Sequence, residues 1–362
     1  MRYSHRINSY QIRDTPSFDI IFVFIFVFMW ILFGWNTGNA DYNNYNYIYN
    51  FIDASGDYPA VEVGFKWIVK ICILLGLNYN GFLITYSFIG LMLITSTAKK
   101  FTNNTTLVLV LYFVYPFLLD VVQIRNFLSM ALMVFATRYL IQDGWKGVLK
   151  YILLILIATT FHYSSIFYLL FLLTKIKSYK KITIITLLSI FFGYAAYNFL
   201  TVFIIRFLSM DRYTTYFSES TSLYAKILFV FYFAFSLILM FYVYKRIKRG
   251  KYQQLSSSSN SDQIQYADIV FKINILILIS YIFVIKDVDF VRLYRNILPL
   301  NFILFAMIKP KYKIIKNVEM LVHSWLFVAF LGFSSWAFIY IRTFDTVVYP
   351  IFTNNSIFEL FK

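Results

Sequence analysis

The chain reads as an all-α, polytopic integral membrane protein, and three observations predict that fold class. Of 362 residues, 60% are hydrophobic and only 14% charged, against roughly half and about a quarter in soluble domains. Mean hydropathy is +0.67, and long apolar runs recur from end to end. The basic residues gather in short clusters between those runs, at 99–100, 175–181, 245–251 and 309–316, as they do in loops retained on one side of a bilayer. That distribution makes anionic lipid headgroups the partner of the net charge of +16 and argues against nucleic acid.

A single membrane-embedded domain over 1–362 is expected, and alternation about the basic clusters orders its elements. A tail at 1–17 carries Arg2, Arg6 and Arg13 and stays inside. The apolar run 18–35 leads out; no small-residue cleavage site follows it, so it reads as a retained signal-anchor. Residues 36–79 form an outer, tyrosine-rich loop followed by an amphipathic helix. Glu62, Lys66 and Lys70 recur there every four residues along one stripe, which suits a helix lying in the interface plane. Spans follow at 80–97, 105–119 and 126–142.

The stretch 147–175 is awkward. Two helices of about 14 residues, ~21 Å each, fall short of a ~30 Å hydrocarbon core. A broken hairpin is therefore expected, with its break at "TTFHYSS" and His162 at the lip of a cavity. Spans at 182–208 and 223–244 come next, then a cytoplasmic linker over 245–267 with a serine-rich centre. Spans at 268–285, 292–308 and 318–340 leave an outer tail at 342–362. The total is about eleven transmembrane helices.

Charge on the outer face is where function is sought. Arg125 lies in "QIRNFLSMALMVF" with no acidic neighbour closer than Asp120, and a cation that persists beside hydrocarbon is functional by default. Arg292 and Arg295, three apart in "VRLYRNILPL", fall on one face of a helix. Guanidinium forks take phosphate oxygens in bidentate fashion, so Arg125, Arg292 and Arg295 are candidates to hold a lipid diphosphate. The bland alternative pairs the outer cations with Asp120, Asp287 and Asp289, and is preferred for Arg212 and Lys286. His162 is the histidine suited to proton transfer; the alternative is a helix-break residue bonded to backbone. His323 reads as structural and His5 lies in the tail.

Four tyrosines fall within residues 42–49, beside Asp41, Asp53, Asp57 and Glu62. Rings that cover sugar C–H faces and carboxylates that accept hydroxyl hydrogens make a sugar-binding groove; an interfacial aromatic belt is the alternative. Tyr42, Tyr45 and Tyr49 are the sugar-binding candidates. "DVD" at 287–289 is discounted as a nucleotide-sugar motif. Cys72 is the single cysteine, so no intrachain disulfide can form, and without HExxH or CxxC no metal site and no cofactor are expected.

Five blocks occur in an order that resembles the EpsG/Wzy-type bacterial polysaccharide polymerases: "GNADYNNYNYIY", "VEVGFKWIVK", "QIRNFLSMALMVFA", "FHYSSIFYLL" and "RLYRNILPL". Val63 stands where that family often has proline. The resemblance implies a multi-pass enzyme of the bacterial cytoplasmic membrane that joins undecaprenyl-diphosphate-linked oligosaccharide units at the outer face, releasing undecaprenyl diphosphate. Such polysaccharides include exopolysaccharide, capsule and O-antigen. A flippase and a chain-length regulator of the same pathway would be partners. His162 would be the base that activates the acceptor, with Asp41 or Glu62 as the other choices. A multi-span glycosyltransferase using a polyprenyl-monophosphate sugar, or a non-enzymatic flippase of the lipid-oligosaccharide, are the competing expectations.

Overall fold

The structure is a computed structural model that describes residues 19–208, 221–251, 258–308 and 318–360. The N-terminal tail with its arginines and His5, Arg212, the basic cluster 309–316 and part of the serine-rich linker lie outside the described residues, as does the side chain of His323. The described chain is helical, with one isolated extended pairing among its residues, Asn36 with Asn355.

Helix α1 (Ile20–Gly34) is opened by Asp19, whose carboxylate accepts the Phe22 N–H. It packs on α4 (Tyr79–Phe101), where the Trp30 indole N–H donates to Ile84 O at 2.8 Å. Asn78 caps α4, and Lys99 and Lys100 complement the dipole of its last turn. The next span, Thr105–Val122, is α5 (Thr105–Tyr112) and α6 (Leu118–Val122) joined by a π segment. Pro116 causes that break, because it has no donor and forces Tyr115 into an extended backbone.

Helix α7 (Ile124–Ala136) is buried on nearly every side and packs against α4 and α8 (Trp145–Phe161). The hairpin expected over 147–175 takes an unexpected form. After α8, His162 is extended at φ −154° and ψ 114°, and Tyr163–Lys175 winds as a 3-10 helix of 13 residues. At ~2.0 Å per residue that leg rises about 26 Å, nearly matching the ~25 Å of the 17-residue α8. Tighter winding thus removes most of the length deficit. The leg buries Ser165, Tyr168, Phe171 and Thr174, one residue in three.

The second half comprises α9 (Tyr179–Leu208), α10 (Leu223–Lys251), α11 (Ser258–Leu276), α12 (Val291–Arg295), α13 (Leu298–Ala306) and α14 (Val318–Ser335). Helix α11 runs beside α9, α10 and the 3-10 leg, and α13 beside α5. Polar groups within this layer find one another. Asn274 and Asn301 exchange amide hydrogen bonds at 2.7 and 3.0 Å, and Lys272 reaches Asp268 at 2.7 Å.

Among the described residues five helices are long and apolar enough to cross a membrane, or six if the pair Trp325–Tyr340 and Phe344–Thr353, bent by 79°, counts as one. The other stretches expected as spans are helical but short or broken: α1 has 15 residues, α7 has 13, and 292–308 is divided between α12 and α13. The tyrosine-rich stretch, expected as a loop, is helical over most of its length. It forms α2 (Tyr42–Ser55), ended by Gly56 at φ +78°. Tyr45, Ile48, Tyr49 and Ile52 supply the helical spacing and face inward.

Candidate active site

The site assembles where α2, α3 (Val63–Leu74), α7 and α8 meet at their ends. Helix α3 packs against α2, α4 and α8, and Gly64 permits the α8 contact. A Cβ there would stand 2.9 Å from the Thr160 carbonyl oxygen and closer still to the Thr160 side chain. This close approach turns Glu62, the residue that opens α3, away from solvent. The charged stripe expected on α3 is therefore divided: Glu62 is buried, Lys66 reaches Asp57 at 2.8 Å, and Lys70 lies over the Trp67 ring.

Glu62 is the hub. Its Oε2 accepts from Arg125 Nη1 at 2.5 Å, and its Oε1 lies 3.3 Å from His162 Nδ1. Arg125 Nε donates to the Tyr45 hydroxyl at 3.3 Å, and the guanidinium lies over the Tyr45 ring at 5.7 Å. His162 reaches Glu62 because its extended backbone ends α8. Its Nε2 is buried and has no hydrogen-bond partner. Burial pushes the Glu62 carboxyl up, but the His162 hydrogen bond and the Arg125 charge outweigh it and bring it down to about 2. Burial lowers the His162 imidazole against the opposing bond to Glu62, with the charges of Arg292 and Arg125 adding to the lowering.

Asp41 is half-buried beside this hub. Burial raises its carboxyl, and Arg125 and Arg292 pull it back, so both cations act on it. Asp41, Glu62, Arg125 and His162 are thus brought together from four places in the sequence. The three arginines have different partners. Arg292 turns to Asp289, with Nε 2.8 Å from the carbonyl and Nη2 3.0 Å from the carboxylate. Arg295 is buried and reaches Gln123 at 2.6 Å and Asp120 at 3.4 Å, while its Nε has no partner. Arg292 and Arg295 both lie on α12, but they are bound to different carboxylates, Asp289 and Asp120.

The tyrosines divide as well. Tyr42 is half-buried and donates to Asn80 at 3.0 Å. Tyr45 backs Arg125, and Tyr49 is a core residue whose hydroxyl donates to Leu77 O at 2.5 Å. The exposed rings are Tyr47 and Phe51, packed edge-on with the half-buried Tyr58. Tyr42 and Tyr45 line a narrow crevice with Asn39, Tyr79 and Ile124. Behind the hub lies a buried amide pair that sequence reasoning missed. Asn126 and Asn296 exchange hydrogen bonds at 3.0 and 2.8 Å, and Asn296 donates to the Tyr168 hydroxyl at 2.9 Å. Each asparagine follows an arginine of interest, a repeated Arg-Asn pair that was available as a signal.

Apolar helices folded about a buried carboxylate, arginine and histidine define a helical membrane protein with an ionised cluster among its helix ends. The chain matches the EpsG family over residues 19–351 and belongs to that family, which is of the exopolysaccharide-polymerase type. No curated protein and no solved structure matches it.

Proposed function

We propose that the chain is a polysaccharide polymerase that joins undecaprenyl-diphosphate-linked oligosaccharide units at the outer face of the bacterial cytoplasmic membrane. The short and broken helical stretches would cross the bilayer together with the long ones. The Glu62-centred cluster carries this reading. With Glu62 ionised and accepting from Nδ1–H, His162 is held in the tautomer that leaves a lone pair on Nε2. Burial keeps the imidazole neutral, as a general base near pH 7 requires. The acceptor hydroxyl oxygen attacks the anomeric carbon of the growing chain and its proton passes to Nε2. The bond from that carbon to the diphosphate oxygen breaks, and the diphosphate departs with the electron pair. Because Nε2 is closed to solvent, acceptor entry requires the outer segments to part.

Fixed positive charge must meet the leaving diphosphate. Arg125 and Arg292, which both act on Asp41 and His162, would supply it once an anion takes over from Glu62 and Asp289. Arg295, deep and held by Gln123 and Asp120, serves better as a brace than as a contact. Tyr47 and Phe51 offer exposed faces for sugar, with the half-buried Tyr58 behind them, and Tyr42 lies nearer Asp41. With arginines serving the diphosphate, no metal is needed.

The test is polymer formation from purified lipid-diphosphate repeat units in detergent, with and without chelator. The expected result is a product ladder that survives chelator, is lost in His162→Ala and falls steeply in Arg125→Ala. Full polymer yield and length from Arg125→Ala would overturn the proposal. Transport of the same lipid in vesicles without a ladder would favour a flippase.

A further inference from the structure

The Asp41 end of the site is held by a segment 318 residues away along the chain. Asn36 and Asn355 are both fully buried and pair as an isolated antiparallel bridge. Around them Thr37 N–H donates to Asn354 O at 2.8 Å and Ser356 N–H to Trp35 O at 3.0 Å. Asn36 Nδ2 donates to the same Asn354 carbonyl at 3.1 Å. A Cβ on Gly38 would stand 2.6 Å from Asn354 Nδ2 and 3.2 Å from its Cβ, so the segment presses directly on the turn before Asp41.

The hydrogen bonds continue past the bridge toward the site. Asn36 Oδ1 accepts from Asn39 Nδ2 at 2.7 Å, and Asn39 Oδ1 accepts the Asp41 N–H at 3.0 Å. A side branch runs from Asn36 O through Asn80 to the Tyr42 hydroxyl, at 3.5 and 3.0 Å. An asparagine that only closed the end of α1 would need no more than the bond from Asn355 Nδ2 to Ile31 O. Here both sides of the bridge are satisfied, and one of them leads to the backbone N–H of Asp41, the residue whose carboxylate Arg125 and Arg292 act upon. The strap also lies beyond residue 351, where the family match ends.

We infer that Asn354–Ser356 is a strap whose residues are positioning residues for Asp41, setting where that carboxylate stands against the acceptor sugar. The inference rests on the proposed polymerase reading, and within it on Asp41 belonging to the site. A buried polar relay of this kind acts as a unit, so its members couple. Mutations that act through one shared group are non-additive, whereas independent structural losses multiply.

The experiment is a double-mutant cycle on the full chain in detergent, with lipid-diphosphate repeat units extracted from cells that accumulate them. Asn355→Ala is expected to slow polymerisation at least tenfold. In the Asp41→Asn background the same substitution is expected to cost less than twofold. Penalties that multiply, or Asn355→Ala at the wild-type rate, overturn the strap. Asp41→Asn at full rate overturns the place of Asp41 in the site and the strap with it, and so is told apart from failure of the strap alone. If Asn355→Ala does not yield monodisperse protein, or Asp41→Asn has no measurable activity so that the cycle cannot be read, Asn39 decides. Asn39→Ala should lose activity and Asn39→Ser, which keeps an acceptor for the Asp41 N–H, should regain it; no regain overturns the proposal.

Discussion

Glu62 faces two basic side chains at once, and its removal has consequences at both. With Glu62→Gln, Arg125 becomes a largely buried cation without a carboxylate, a loss of roughly 3 kcal/mol at the lower edge for broken buried pairs, to be read from denaturation in detergent. The Glu62 carboxyl lies at about 2 in the folded chain against an ordinary 4.5. The stability it contributes is therefore present above about pH 4.5 and lost as pH falls toward 2. Glu62→Gln should flatten that slope. Activity follows His162, whose neutral form is the base. Since its folded value is below 6.5, the rate should climb with pH through a value under 6.5 and be near its plateau at neutrality. Glu62→Gln removes the group that raises it, so the limb should move further toward acid while the plateau drops. Arg125→Lys keeps the charge but loses the fork, and about a hundredfold loss in rate is expected. Arg125 was conspicuous in sequence because a cation interrupts apolar residues. Its partner was not, because Glu62 lies 63 residues away on a stripe that reads as solvent-facing until α8 is packed against it.

At the scale of elements, the site depends on how closely α3 approaches α8. Gly64→Ala places a methyl against the Thr160 side chain and carbonyl. The Thr160 side chain must turn and α3 must move away from the Thr160 carbonyl, and Glu62 moves with it. Loss of at least tenfold in polymerisation with intact folding is expected, measured by product ladder beside size-exclusion profile; unchanged activity would show that the Glu62–His162 distance does not matter. Helix periodicity within 42–55 was present in the sequence but was outweighed by its asparagines and tyrosines, which suit a loop. The break at His162 was legible, since neither leg could span as an ordinary helix. The 3-10 winding that resolves the deficit was not, because a thirteen-residue run of it is rare and composition does not announce it. For the arginines of α12 the spacing was legible but their partners were not, since Asp120 is 175 residues from Arg295 along the chain.

For the whole molecule, the fold class followed from composition, because no other solvent suits a chain with this apolar content. The number of crossings is a separate matter, since apolar runs show where helices form and not whether each is long enough to cross alone. Sidedness is open to direct measurement. With Cys72 replaced by serine, single cysteines at Asp57 and Glu359 should react with an impermeant maleimide added outside intact cells, and cysteines at Lys99 and Lys248 should not. The Asn36–Asn355 bridge requires the first two to agree. Labelling at Asp57 but not at Glu359 would contradict the strap.

The 3-10 leg carries a consequence for tolerance to change. With three residues to the turn, Ser165, Tyr168, Phe171 and Thr174 form a seam parallel to the helix axis, where an α-helical stripe would drift around its cylinder. The other positions are less deeply set: Phe167, Leu169, Leu170, Leu172 and Leu173 are half-buried against the core, and Tyr163, Ile166 and Lys175 are exposed. A saturation scan from Tyr163 to Lys175 should oscillate with a period of three, and deletion of one residue should rotate the seam by a third of a turn and put every later member out of place.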